Sequence, residues 1–338
     1  PVSGGTLRNL KNEAAAKAIA GVRDVVRLDN AVAVTATNFW ACQQALNALD
    51  IEWDMGPHAG LDSAKLDKSL FDASAGDGVF AHKAGDIASA LKNASSRFEA
   101  IYEQPFLSHS PLEPMTCVAH VRADECELWV GCQAPGLAQM GAAKVCGLPV
   151  EKVVIHNQLI GGGFGRRLES DFIFQAVDIA RKLSYPIKLI WSREDDLAGG
   201  YYRPMAAHKA SIGLDEAGNI TAWDHRLALK SIVKGTPFEP FIVKNGVDHT
   251  SIEGVGHPLY NIPNQSVGLS DYQSPTPVLW WRSVGHTHTA YAMEMMLDML
   301  ATQTDQDPVE MRLGLLDMSN PQQARLAGVI KAVAKAAK

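Results

Sequence analysis

Cysteine is sparse and poorly spaced for metal chemistry. The five cysteines, Cys42, Cys117, Cys126, Cys132 and Cys146, form no C-x-x-C pair, and an odd number cannot be fully paired within the chain. The spacing argues against a zinc or iron-sulfur site made from them, and free thiols are expected. No block of Lys or Arg stands out: 31 basic residues against 37 acidic ones give a net charge of -6 spread along the chain, so no nucleic-acid partner is expected. No apolar run is long enough to span a bilayer, and residues 1–10 lack the charged and apolar regions of a signal peptide. The sequence has no G-x-S-x-G elbow, no H-E-x-x-H and no internal repeat.

The remainder describes a globular protein. With 46% hydrophobic and 20% charged residues over 338 positions, the chain exceeds the usual size of one hydrophobic core. Helix and strand signals alternate in the first stretch: a helix over 12–20, strands over 22–28 and 31–37, a helix over 38–49 and a strand at 51–54. Residues 56–78 are rich in Gly, Asp, Ser and Ala and read as a linker. A second body begins near Ser95, with strands over 97–106, 116–122 and 127–130 and a helix from Pro135 that Gly147 can stop. A strand over 152–156, a helix over 169–183 and a strand over 186–191 follow. Asp215–Asn219 is a hairpin turn between strands over 209–214 and 220–229, and helices over 289–302, 307–316 and 322–337 close the chain.

The densest feature is Gly161–Arg167, with four glycines in five positions followed by Arg166 and Arg167. Such a loop lets backbone approach a ligand closely, and a following helix start with two arginines suits an anion. The glycines fit neither a Walker loop nor the G-x-G-x-x-G spacing, and a flexible turn with a solvated arginine pair fits the residues equally well. Leu279–His288 sets aromatics beside Arg282, which suits a rigid donor in a pocket wall or, more readily, a packed surface aromatic with a snorkelling arginine, and His286, His288 and Glu294 suit core or capping roles better than metal ligation. Ser108–Met115 holds a carboxylate between two prolines; a Ser-His-Glu hydrolase is disfavoured there, because neighbours in extended chain point alternate ways. Ser192–Asp196 reads as a solvated charge run.

Taken together, these segments resemble a known family. They are Pro111–Met115, Gly131–Pro135, Gly161–Glu169, Trp191–Asp196, Tyr202–Pro204, Tyr260–Asn264 and Trp281–Gly285. In order and spacing the chain is similar to the molybdopterin-binding subunit of the xanthine dehydrogenase/aldehyde oxidase family, isoquinoline 1-oxidoreductase beta-subunit branch. The resemblance implies an α+β fold: the end of an α/β-hammerhead domain over 1–55, a linker over 56–94, and a mixed α/β molybdopterin-binding domain over 95–338. It implies hydroxylation of aldehydes or N-heteroaromatic compounds with water-derived oxygen, using molybdenum on molybdopterin cytosine dinucleotide.

By the same resemblance Gln133, Gly162, Gly163, Phe164, Gly165 and Arg166 bind cofactor, while Arg282, Val284 and Glu169 line the substrate pocket; for Glu169 a helix-start role is the stronger reading. No residue here ligates the metal directly, and the catalytic base belongs to a C-terminal half beyond Lys338. Both ends of the chain read as cut. Partners implied are a small subunit with 2Fe-2S clusters, a c-type cytochrome and that C-terminal half, in a periplasmic or membrane-associated bacterial setting with the cytoplasm as the alternative. Leu168 and Ser266 stand where purine-oxidising members carry a glutamate and an arginine, and Val284 stands where they carry a ring-clamping phenylalanine. Purines are therefore not expected, and aldehydes remain open. The rival reading is a catalytically empty scaffold or assembly domain; a weaker third is an anion-binding module that needs no metal.

Overall fold

A computed structural model of the chain describes residues 4–337; the cut ends expected at Pro1–Ser3 and Lys338 lie outside the described residues. The chain forms two compact units, each drawn from separated stretches. The first takes the chain up to Leu61 with Ser108–Arg203 and Pro275–Trp281, and the second takes Asp62–Leu107, Pro204–Ser274 and the chain from Arg282. The units are thus interleaved in sequence, where the linear division at 55 and 94 treats each body as continuous.

In the first unit, strands Thr6–Lys11 and Asp50–Asp54 pair antiparallel, and Val22–Arg27 and Val32–Ala36 form a hairpin. The helix Phe39–Ala48 starts where Asn38 accepts a hydrogen bond from the Ala41 amide, one of the helix's unpaired first-turn donors. A four-stranded mixed sheet runs in the order Val153–Asn157, Cys126–Val130, Thr116–Val121, Ile187–Ile190. The helix Asp171–Ala180 buries Phe172, Ile173, Ala176, Val177 and Ala180, a helical stripe, with Cys117, Ala119, Leu128 and Val130 of the strands. Burying such side chains contributes about 1.5–3 kcal/mol for each large one. The second helix of this layer, Pro135–Cys146, ends as expected at Gly147, whose φ of 72° relieves the last turn. Burial pushes the Cys117 and Cys126 thiols upward, so they act as protonated packing groups.

The second unit is built on a five-stranded sheet ordered Val79–Ala84, Gln265–Asp271, Ile220–Leu229, Ala206–Leu214, Ser96–Gln104. Only the Gln265–Asp271 and Ile220–Leu229 pair is parallel. The hairpin turn is held by Asp215, whose Oδ1 accepts from the Ala217 and Asn219 amides at 2.9 and 2.8 Å. The helix His286–Gln303 packs Met293, Met296, Leu297 and Leu300 into the core with the strands. Helices Pro308–Gly314 and Pro321–Ala336 follow, each with proline in its first turn and a capping side chain, Asp307 and Asn320.

Three expectations are corrected. The stretch read as a linker contains the helix Ser63–Ser74, capped by Asp62 and seated through Leu70 in a cluster with Ala207, Ala228 and Tyr272. Strands Val79–Ala84 and Gln265–Asp271 were not anticipated. The second is buried over its first five residues, so it lacks the alternation that marks a half-exposed strand. The charge run Ser192–Asp196 is a capping box opening the helix Arg193–Gly199, and Asp196 is buried.

Inside the second unit three imidazoles form a chain. His208 Nδ1 lies 2.8 Å from His225 Nε2, and His208 Nε2 lies 2.9 Å from His288 Nδ1. The Trp223 indole donates to His225 Nδ1 at 3.2 Å. An indole N–H can only donate, which fixes each neutral ring downstream with its proton on Nε2. Burial holds His225 at about 3 and, with the two neighbouring rings, pushes His208 well below its ordinary range. Folded-state values below the ordinary 6.5 mean that only the unfolded chain takes up these protons as acid is added. The stabilisation is therefore complete above about pH 6.5 and is lost as pH falls below it. Urea unfolding of this unit's transition, followed by circular dichroism, should show about 2 kcal/mol less stability for each of His208 and His225 at pH 5 than at pH 8. An unchanged midpoint in a His208→Phe, His225→Phe background would confirm the source, whereas an equal acid loss there would refute it.

Candidate functional site

Several of the segments singled out in the sequence, Pro111–Met115, Gly131–Pro135 and Trp191–Asp196 among them, meet at the glycine loop of the first unit. Glu113, set between Pro111 and Pro114, accepts hydrogen bonds from the Gly161 amide at 2.8 Å and from Arg167 Nη2 at 2.7 Å. Its own amide donates to the Gly161 carbonyl at 3.1 Å. One carboxylate therefore ties the first residue of the loop to the last. Arg167 is buried and also donates to the carbonyls of Gly162 at 2.8 Å, Gly131 at 3.3 Å and Glu113 at 3.0 Å.

Arg166 is equally buried. Asp171 binds it bidentately, both contacts at 2.8 Å, and its guanidinium lies 5.4 Å from the Trp191 ring centroid and 5.5 Å from that of Tyr201. Both arginines had been expected as donors to a ligand anion. Both are buried and ion-paired, Arg166 with Asp171 and Arg167 with Glu113, and act as internal counter-ions that fix the loop, while the buried Arg166 Nε is left without a partner.

What the loop offers outward is backbone. Gly162 and Gly165 have φ of 102° and 107°, and Phe164, at 56°, is a non-glycine in the left-handed region with its ring partly exposed. A Cβ on Gly165 would stand 1.8 Å from the Trp280 carbonyl oxygen, so that position requires glycine, and one on Gly163 would stand 2.7 Å from Gln133 Oε1 and displace that side chain. The Trp280 carbonyl is in turn 2.7 Å from His109 Nε2, with Nδ1 3.2 Å from the Tyr201 carbonyl. This buried ring is a buttress between two loops, which leaves no role for it beside Ser108 in hydrolysis.

Gln133 is exposed, and its Oε1 accepts from the Gly165 amide at 3.1 Å. That contact assigns the carboxamide orientation and leaves its NH2 group directed to something other than the chain. Gln133 and Gly162–Gly165 thus share one surface, with Arg166 and Arg167 behind it.

Glu169 does not enter a helix's first turn, the stronger reading from sequence; Asp171 holds that place, because the helix is preceded by the short turn Arg166–Leu168. Burial, and then the neighbouring Asp171 carboxylate, push the Glu169 carboxyl above its ordinary range, and its Oε1 accepts from the Ser170 amide. Arg282 and Val284 belong to the second unit. There Arg282 is exposed, while Ser283 and Val284 adopt φ of 75° and 49°. Ser266 is buried in the sheet and donates to Asp224. The supporting roles of Glu113, Asp171, His109 and Trp280 were not foreseen, although a glutamate between two prolines was a visible signal for the first.

Residues 71–314 match the family model described as the molybdopterin cofactor-binding domain. The chain belongs to this family. Among molybdopterin-family relatives, the isoquinoline 1-oxidoreductase subunit beta of Brevundimonas diminuta is 30% identical over 335 residues, covering 96% of this chain and 42% of that protein. The aldehyde oxidoreductase molybdenum-binding subunit PaoC of Escherichia coli K12 is 30% identical over 232 residues, 68% of this chain and 30% of that protein. The chain thus spans about two fifths of the first of these relatives and less of the second. Quinoline 2-oxidoreductase from Pseudomonas putida 86 shares the fold at a TM-score of 0.69 with 17% identity, over 96% of this chain and 46% of that one. The expected α+β, family-type fold is therefore what the chain adopts.

The ion pairs beneath the loop make a direct prediction. Asp171→Ala strands a buried guanidinium and should cost about 3 kcal/mol in urea unfolding. Arg166→Met combined with Asp171→Ala should recover most of that loss, and a double variant no more stable than the single one would show that the pair is not what holds the loop.

Proposed function

We propose that this chain supplies part of the molybdopterin-holding half of a molybdenum hydroxylase that acts on aldehydes or N-heteroaromatic compounds. The observation that carries the reading is the surface formed by the Gly162–Gly165 backbone and the outward NH2 group of Gln133, in a chain of the molybdopterin cofactor-binding family. The relatives support it: one is named for isoquinoline oxidation and another for aldehyde oxidation.

The residues present suit such a group. Glycines at 163 and 165 let Gln133 and the Trp280 carbonyl pack directly against the loop, which holds the loop backbone and the Gln133 carboxamide together as one cofactor-facing unit. Gln133 would hold an oxo-type oxygen through its Nε2 donor while its Oε1 stays on Gly165. Phe164, exposed on the loop, would exclude water. Arg166 supports this surface from below through Asp171. When bound, the cofactor supplies the two-electron oxidation of an electron-poor carbon.

On the substrate side we assign Arg282 as a fixed donor and Val284 as an apolar wall smaller than an aromatic clamp. Glu169, a partly buried carboxyl that accepts from the Ser170 amide, is assigned to the pocket as well. The general base, the cytosine dinucleotide form of the cofactor, an iron-sulfur subunit with 2Fe-2S clusters and a c-type cytochrome complete the reading. Residues 1–55 are assigned to an α/β-hammerhead domain. A periplasmic or membrane-associated bacterial setting is proposed, in keeping with a 28% identical relative named membrane-bound aldehyde dehydrogenase (pyrroloquinoline-quinone) of Gluconacetobacter polyoxogenes.

The test measures molybdenum and released cytidine monophosphate per large subunit, with this chain joined to the C-terminal half and co-expressed with the iron-sulfur subunit under molybdate. Near-stoichiometric amounts of both are expected, and a folded complex with neither would point to a scaffold. Gln133→Glu replaces the NH2 donor by a second oxygen while preserving the acceptor for Gly165. It should lower molybdenum retention by about tenfold or more; retention equal to the wild type would remove Gln133 from the site.

A further inference from the structure

The second unit contains a turn that is strained and firmly held. Ser283 and Val284 both lie in the left-handed region, with φ of 75° and 49°. For a β-branched residue this is a rare conformation, and such strain persists only where surrounding contacts impose it. Immediately after the turn begins the helix His286–Gln303.

Glu253 holds the residues that follow the turn at three points. The Gly285 amide donates to Glu253 Oε2 at 3.1 Å, and His286 Nδ1 lies 3.5 Å from the same oxygen. One helical turn on, the Thr289 hydroxyl donates to the Glu253 backbone carbonyl. The fit is close: a Cβ on Gly285 would stand 2.3 Å from the Thr250 carbonyl and 3.0 Å from Glu253 Cβ. A carboxylate here also faces the positive end of an 18-residue helix. Three residues beyond Gly285, His288 is tied to the sheet through His208, so the helix start is fixed at two points.

We propose that Glu253 is a positioning residue, whose carboxylate locks the Ser283–Val284 turn and thereby sets how Arg282 and Val284 meet substrate. The substrate side of this assignment rests on the function proposed above; the lock itself rests only on the contacts. Glu253 touches neither substrate nor cofactor. It acts through Gly285, and the shape of the wall that Val284 offers to a bulky ring depends on it. Bulky N-heteroaromatic substrates, which need that wall, depend on the lock more than small aldehydes do.

The test uses the complete enzyme with its partner subunits, as wild type, Glu253→Ala and Glu253→Gln. Amide hydrogen exchange is read in peptides spanning 283–290, beside molybdenum content and steady-state kinetics on isoquinoline and acetaldehyde. Glu253→Ala should raise exchange across Gly285–Thr289 by about tenfold. It should raise KM for isoquinoline by about tenfold while kcat for acetaldehyde and molybdenum content change by less than about twofold. Glu253→Gln keeps an oxygen acceptor for the Gly285 amide and should restore both readouts towards wild type.

Exchange in Glu253→Ala equal to wild type overturns the lock. Faster exchange with an unchanged KM in molybdenum-replete enzyme overturns its role towards substrate. A wild-type enzyme without molybdenum defeats the functional reading instead, and the exchange comparison then decides the lock by itself.

Discussion

Two guanidinium groups buried under a glycine loop set the terms for the first unit. A cation taken out of water must be neutralised and have its N–H groups satisfied, and removing one partner of such a pair costs about 3–5 kcal/mol. Arg167 therefore draws in Glu113 and the carbonyls of Gly131 and Gly162, while Arg166 draws in Asp171 and the rings of Trp191 and Tyr201. Arg193 adds a further tie by donating to the carbonyls of Pro111 and Leu112, and its other contact is the buried Asp196. Segments that are distant in sequence thus meet at one place because the charges would otherwise be stranded.

The glycine loop and its neighbours were legible in the sequence, but the direction of their side chains was not. A pair of arginines after four glycines looks the same whether it meets a ligand or the protein interior, and only the positions of Glu113 and Asp171 separate these outcomes. Regular elements with a local start signal were read well: Asn38, Pro135 with Gly147, and Asp215 each act on backbone within a few residues. The helix Ser63–Ser74 was missed because only Leu66, Leu70 and Ala73 mark its inner face amid Ser, Asp and Lys. The strand Gln265–Asp271 was missed for a different reason. It is flanked by strands on both sides and nearly buried throughout, and Gly268 is needed because a Cβ there would stand 2.4 Å from the Asp77 carbonyl.

The second unit meets the same requirement with neutral groups. His208 and His225 lie on adjacent strands and His288 on the helix packed with them, with no recognisable spacing in sequence. A neutral imidazole can donate at one nitrogen and accept at the other, so a run of them can be satisfied without any counter-ion. The Trp223 indole gives the run its direction. Here the core tolerates polar groups because each is matched to the next, whereas the first unit needs full charges in opposition. The price is sensitivity to acid, since a proton added to any ring leaves two donors facing each other.

The glycine loop of the first unit and the Arg282–Val284 turn of the second also differ in what they can vary. The glycine loop presents main chain, and its shape is fixed by positions such as Gly165 that accept no side chain. Main chain is the same in every sequence, so such a surface suits a constant cofactor and carries little information about substrate. The Arg282–Val284 turn presents side chains on a strained backbone that distant residues hold in place. A surface of that kind can change its preference through one side chain while the loop that holds the cofactor stays untouched. On this reading, selectivity between flat rings and small aldehydes resides at Val284 and in what positions it, and the capacity to hold molybdopterin resides in the backbone between Gly161 and Gly165.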